Sequence, residues 1–395
     1  MNKEKLWTKE FLIISAINFL LTLMFFLLMV TIASFAKTEF HASTSTAGLV
    51  SSIFIIGSLI GRLGAGRVIG DISVKKTLWM GILLFTVTSV SYFFAYNIAF
   101  LLIIRLLQGI AVGIAGTATG TIIAQILPAA RKGEGIGYYS LSAILATAIG
   151  PFIGIFLMKL EEGFTWIFTL NVVLSIFCII VIILAKIDLP APIKKDSVQE
   201  NTSIIGKFIE PKALPISFIA LLIGFSYSGV MSFITFYAEE INLVEAASYF
   251  FLVYAIVIIC SRPYTGKLMD VRGANIVAYP SFIVFAIGMA IFSQATASWM
   301  LLLAAALIGL GYGNFNSVAQ TIAVKVTDVH RFGLATSTYF IMFDLGLGVG
   351  PYTLGFVVPH TGYRPVFVAM VAVIACCIPL YYLLHGRRDK ELIKI

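Results

Sequence analysis

The 395-residue chain is poor in charge. Only 12% of its residues are Asp, Glu, Lys or Arg, while 59% are apolar, against about a quarter and about a half in a water-soluble globular chain. So few charges cannot solvate a folded surface in water, which excludes an ordinary cytoplasmic enzyme. The apolar content also excludes intrinsic disorder. Histidine is scarce, and the four present (His41, His330, His360, His385) lie away from the middle of any apolar run. There is no HExxH or GxGD motif and no G-x-x-x-x-G-K-[ST] loop, so nothing supports a membrane protease or an ATP-driven pump. The four cysteines (Cys178, Cys260, Cys376, Cys377) sit inside apolar stretches without metal-ligand or disulfide spacing. No metal, cofactor or catalytic group is expected. The net charge of +8 suggests nucleic acid at first sight, but the basic residues fall in short segments between apolar runs, so no nucleic-acid partner is expected.

What the chain has is long apolar runs. A helix of about 20 apolar residues crosses the ~30 Å core of a bilayer, and in lipid a helix satisfies its own backbone. Twelve such runs are present, at 11–36, 45–66, 77–95, 100–126, 136–158, 165–187, 213–236, 246–266, 275–295, 299–325, 333–357 and 363–385. The first follows a charged decapeptide, is 26 residues long and has no A-x-A site, so it reads as a retained helix rather than a signal peptide. The connection 188–212, with Pro190, Pro192, Lys194, Lys195, Asp196, Glu200 and Lys207, separates six runs from six. The expected domains are 1–187, a linker 188–212, and 213–395 with a short tail. With the N-terminus inside, 23 of the 27 basic residues fall on the inner side, leaving Lys37, Lys159 and Arg364 outside and Arg105 within a run. This predicts a multi-pass protein of the cell membrane with both termini cytoplasmic.

The punctuation repeats at a shift of 200. Arg62, Gly66, Gly109, Gly113, Arg131, Gly133 and Gly150-Pro151 meet Arg262, Gly266, Gly309, Gly313, Arg331, Gly333 and Gly350-Pro351. Asp71 and Asp270 are off by one, as if the first half carried one extra residue. Six-run halves repeated in parallel describe a protein whose halves rock about a central site.

Between runs eight and nine the chain reads Arg262-Pro263-Tyr264-Thr265-Gly266-Lys267-Leu268-Met269-Asp270-Val271-Arg272-Gly273. This resembles the R-P-x-x-G-x-L-x-D-x-x-G signature of the major facilitator superfamily. A weaker first-half copy comprises Arg62, Gly66, Arg67, Asp71, Lys75 and Lys76, with Val74 where the second glycine is expected. The resemblance covers essentially the whole chain. It implies an all-α membrane protein of 12 transmembrane helices in two pseudo-symmetric six-helix bundles, working as a monomer on a small-molecule substrate. Physically, an Asp in such a loop can accept from helix N-terminal amides or pair with Arg or Lys. Holding one conformational state is one reading, and solvated loop charge is the other.

Run four places Arg105, Gly109, Gly113, Gly116 and Gly120 on one helical stripe, with Gln108 beside them. The R-x-x-Q-G pattern is similar to that of drug–proton exchangers of the superfamily, where the Arg bears on proton coupling. An arginine in a span faces the bundle interior or snorkels to the interface. Run five carries Gly150-Pro151-Phe152-Ile153-Gly154, which resembles the G-P-x-x-G motif of superfamily exporters, with Gly350, Pro351 and Gly355 in run eleven. Proline removes a backbone donor, so these positions could bend the helices or simply pack them.

Asp344 is the one carboxylate deep in a run, roughly 16 Å from the inner end. A charged carboxylate is unfavourable there, so a group that takes and releases a proton could couple transport to a proton gradient. Arg105 is a candidate counter-charge, and a structural Asp on a small-residue face is the alternative. The superfamily lines its central cavity with spans one, four, seven and ten. In this chain those spans supply Asn18, Phe25, Met29, Gln108, Tyr227, Tyr237, Tyr312, Asn314 and Asn316. An aromatic, Met-rich wall with amides suits amphipathic organic molecules, cations among them. The resemblance therefore implies proton-coupled efflux of such molecules. Transport of a defined metabolite, such as a sugar, nucleoside or metallophore, is the alternative.

Overall fold

The computed structural model describes residues 5–185 and 205–388. Most of the predicted linker (188–204) and the tail residues Lys390 and Lys394 lie outside the described residues. Twelve helices are long and apolar enough to cross a membrane, and there is no strand among the described residues. In chain order they are α1 (Lys9–Phe40), α2 (Thr44–Ile72), α3 (Val74–Ser91), α4 (Ile98–Ile126), α5 (Lys132–Met158), α6 (Gly163–Ala185), α7 (Leu214–Glu240), α8 (Val244–Arg272), α9 (Asn275–Ser293), α10 (Ser298–Lys325), α11 (Phe332–Thr361) and α12 (Tyr363–Leu384). Most extend past the apolar runs, and polar residues cap several of the first ones. Thr8 Oγ1 accepts from Phe11 N at 3.2 Å, Ser43 Oγ from Thr46 N at 3.1 Å and Asn97 Oδ1 from Phe100 N at 2.8 Å.

The chain folds as two compact units. The first comprises Met1–Leu127, Ser142–Glu210 and Val329–Thr338. The second comprises Pro128–Leu141, Pro211–Asp328 and Tyr339–Ile395. Each unit takes in a short segment from the far side of the polar connection: the first turns of α11 in one, the first turns of α5 in the other. The core of the first unit gathers Leu28, Ile32 and Phe35 of α1, Val50 of α2, Ile104 of α4 and Phe168 of α6, with Tyr92 stacked on Phe168 at 5.0 Å.

The 200-residue repeat is realised contact by contact. A Cβ on Gly109 would lie 2.1 Å from Phe54 O, and one on Gly309 would lie 2.8 Å from Tyr254 O, so α4 meets α2 as α10 meets α8. Small residues let these backbones approach. The halves differ in the middle of these helices. α10 contains a π-helical turn at Gly309–Gly313, whereas α4 is regular through Gly109–Gly113. The third glycine of the turn, Gly311, has no counterpart in α4. A Cβ there would stand 2.5 Å from Phe285 N, so the turn presses α10 onto α9.

Candidate functional site

The signature residues of α8 grip the start of α5 inside the second unit. Asp270 Oδ1 accepts from Gly133 N and Asp270 Oδ2 from Glu134 N, each at 2.8 Å. Lys325 Nζ, at the end of α10, donates to the same carboxylate at 2.9 Å. The Asp270 side chain is only 5% exposed, so its charge is balanced by two helix N-terminal amides and one ammonium. One turn earlier, a Cβ on Gly266 would lie 2.8 Å from Glu134 Cα. Arg262 is buried, with Nη2 donating to Gly313 O at 2.7 Å and Nη1 to Ser317 Oγ. Lys267 and Arg272 are exposed.

In the first unit the pairing recurs without its acid. Ser337 Oγ, in the first turns of α11, donates to Arg62 O at 2.7 Å. A Cβ on Gly66 would meet Ser337 Cβ at 2.5 Å. Gly70, not Asp71, occupies the register of Asp270, because α2 is continuous and one residue turns a helix by about 100°. Asp71 is exposed and has no partner among the described residues. The expected extra residue is absent. Ser73 closes α2 with φ 115° where Gly273 closes α8 with φ 91°, so Ser73, rather than Val74, holds the place of the second glycine. Lys75 and Lys76 are exposed on the first turn of α3, and Arg67 lies over the Phe208 ring at 4.9 Å.

Arg105 is fully buried, which removes the snorkelling alternative. Its Nε donates to Val50 O at 3.2 Å and its Nη1 to Gln108 Oε1 at 3.0 Å, and the guanidinium sits 4.8 Å from the Phe54 ring centre. Gln108 Oε1 also accepts from Tyr92 Oη at 2.6 Å. These partners all belong to the first unit, and no carboxylate is among them. Gln108 is thereby committed to holding Arg105.

In the second unit the aromatic residues form a column. Tyr227 stacks on Tyr312 at 3.9 Å and on Tyr254 at 5.6 Å. Tyr312 stacks on Phe343 at 6.4 Å, and Phe343 on Tyr339 at 6.0 Å. Tyr312 lies in the π-helical turn. Asp344 follows Phe343 and is half-buried. The structure thus brings Tyr227 and Tyr312 together, with Tyr254, Phe343 and Tyr339, which sequence reasoning did not single out. Asn316 accepts from Tyr339 Oη at the end of this column.

The other residues expected to bind substrate have the following neighbours. Tyr237 is fully buried, and its hydroxyl donates to Phe292 O and Ser293 O at 3.1 Å each, which pins α7 to the end of α9. Asn314 donates to Ser261 Oγ at 3.0 Å and accepts from Thr265 Oγ1 at 2.9 Å, which ties α10 to α8. Asn18 Nδ2 donates to Ser142 Oγ at 2.8 Å, Phe25 stacks on Phe54 at 4.6 Å, and Met29 is half-buried. In α5, Gly150 and Gly154 face α1, with Leu23 O and Leu27 O each 3.0 Å from a built Cβ. In α11, Gly350 faces Ser228 of α7, but Gly355 has only Phe233 Cζ at 4.0 Å. Gly355 is one residue out of register with Gly154 and makes no close approach. Pro151 and Pro351 both lie inside continuous helices.

The family model for the Major Facilitator Superfamily matches residues 14–299 and 272–394. The chain belongs to the major facilitator superfamily. It is 26% identical over 340 residues to the multidrug resistance protein MdtG of Proteus mirabilis, covering 83% of this chain and 82% of that protein. It is 21% identical over 372 residues to the staphylopine export protein of Staphylococcus aureus, covering 88% and 89%. Its fold matches the crystal structure of the human organic anion transporter MFSD10 with a TM-score of 0.77 at 12% identity, over 94% of this chain and 98% of that one.

Within this superfamily fold, Asp344, in α11, stands apart from the helix ends. The sequence carried a signal for the column that was not used: three alternate glycines (309, 311, 313) mark the π-helical turn that sets Tyr312. Such turns concentrate at functional sites.

Proposed function

We propose that this superfamily transporter exports amphipathic organic cations in exchange for protons, by alternating access, as a monomer in the cell membrane with cytoplasmic termini. The observations that carry the reading are the half-buried Asp344, next in the chain to Phe343, and the stacked column of Tyr227, Tyr312 and Phe343. Aromatic faces attract a desolvated cation, and a carboxylate in a span is costly unless it serves a charge or a proton. A proton and a cationic substrate compete for one carboxylate, so loading one releases the other. The direction is supported by Gly150-Pro151 with Gly154 and by the multidrug and staphylopine-export names of two relatives.

For the cycle, we assign Asp270, Gly266 and Lys325 to holding the start of α5, and Gly66 and Ser337 to holding the start of α11. These contacts stabilise one state and must open in the other. Within the first unit, Arg105 orders α2 and α4 through Val50 and Gln108.

The test is efflux of a panel of fluorescent lipophilic cations from cells expressing the chain, with and without a protonophore. Lower accumulation that the protonophore abolishes is expected. Accumulation equal to that of control cells across the panel would overturn the cation reading, and efflux indifferent to the protonophore would overturn the coupling.

A further inference from the structure

Arg131 and Arg331 are repeat partners, each just before the helix that enters the opposite unit, yet they find their carboxylates differently. Arg131 pairs with Glu134, three residues on, at 2.8 Å. Position 334 is Leu, so Arg331 has no such acid on its own helix. It pairs instead with Glu210, from the end of the polar connection, and also donates to Gly206 O at 3.0 Å. The Glu210 side chain is 3% exposed and Arg331 17%. Glu210 N donates to Thr338 Oγ1 at 2.8 Å, and Phe208 lies under Arg67 of α2. Four contacts from five residues therefore bind this segment to α2 and to the first turns of α11, all inside the first unit.

We propose that Gly206–Glu210 is a strap that holds the start of α11 in the first unit, with Glu210 as its positioning residue. The connection between the halves is then part of the switch. It supplies to α11 the carboxylate that α5 carries on its own helix. Opening α11 requires breaking a charge-assisted pair that is almost out of water, and losing one member of such a pair is far costlier than losing an exposed one. The proposal rests on the start of α11 leaving the first unit during transport. It does not depend on the substrate or the coupling ion.

The test uses Ser337→Cys as a reporter, because Ser337 is buried against Gly66 and Arg62. Labelling by a membrane-impermeant maleimide is read at residue 337 by mass spectrometry in the full-length protein. Glu210→Gln is expected to raise the labelling rate about tenfold, a change equivalent to about 1.4 kcal/mol. The charge swap Glu210→Arg with Arg331→Glu should return it towards the parent, and Arg131→Gln should leave it unchanged. If Glu210→Gln does not fold, Thr338→Val, which removes the acceptor for Glu210 N, should raise the rate in the same direction. A reporter that labels in the parent but responds to neither variant overturns the strap. A reporter that never labels in the parent overturns the opening of α11 itself.

Discussion

Asp270 accepts from Gly133 N at 2.8 Å, so a carboxylate at the end of α8 closes the amide end of α5. Lys325 shares that carboxylate, and Gly266 brings the two backbones together beside it. In the first unit Gly66 instead meets Ser337 and Gly333 meets Ile69, and Gly70 stands where the acid would be.

Gly266→Ala and Gly70→Ala should therefore part company. A Cβ at 266 meets Glu134 Cα, whereas one at 70 meets nothing within 4 Å. Overpacking of this kind costs about 1–3 kcal/mol. Initial transport rates should fall severalfold for Gly266→Ala and stay near the parent for Gly70→Ala. Equal losses would mean that the contact with α5 is incidental.

Asp270→Asn should impair transport and Asp71→Asn should not. Asp270 is a buried acceptor for three donors, and Asp71 is an exposed side chain at the end of α2. Thermal unfolding in detergent should show a loss for Asp270→Asn of about 1–3 kcal/mol. Surface changes such as Asp71→Asn stay within about 0.5 kcal/mol.

Ser73→Gly should stabilise the protein. Ser73 has φ 115° and ψ 145°, a region almost reserved for glycine and costing other residues about 1–3 kcal/mol. Its hydroxyl caps α3 at 3.4 Å from Lys76 N, and replacing such a cap with glycine costs only a few tenths of a kcal/mol. The net gain should be about 1 kcal/mol, seen as a higher Tm, with the reverse for Gly273→Ala.

Tyr237→Phe and Tyr312→Leu should separate packing from binding. Removing the Tyr237 hydroxyl strips a donor from two carbonyls at the end of α9, so Tm should drop by an amount equivalent to about 1 kcal/mol. Apparent affinity for a transported cation should not change. Tyr312→Leu removes a ring from the column, with an expected loss of roughly 2- to 30-fold in affinity, or about 0.5–2 kcal/mol.

The helices were legible in the sequence because lipid admits few alternatives, and the repeat was legible because glycines mark where backbones touch. Asp344 and Arg105 stood out as charges where charge is costly. What escaped was rotation and pairing. A one-residue offset looked like an insertion, yet a continuous helix turns it into a change of face, which is why Asp71 points outward and Ser73 takes the glycine's place. Tyr237 and Tyr312 are alike in composition, and only the neighbouring carbonyls and rings tell a packing tyrosine from one in the column. Glu210 carries no signal in the sequence because its partner, Arg331, lies 121 residues away.

Proton coupling through Asp344 is most directly measured in inverted membrane vesicles. Uptake of a cationic substrate under an imposed pH gradient is compared with substrate counterflow in the absence of a gradient, for the parent and for Asp344→Asn. The account expects Asp344→Asn to lose gradient-driven uptake and to keep only weakened counterflow, because the cation loses its carboxylate partner. Gradient-driven uptake equal to the parent's would contradict it.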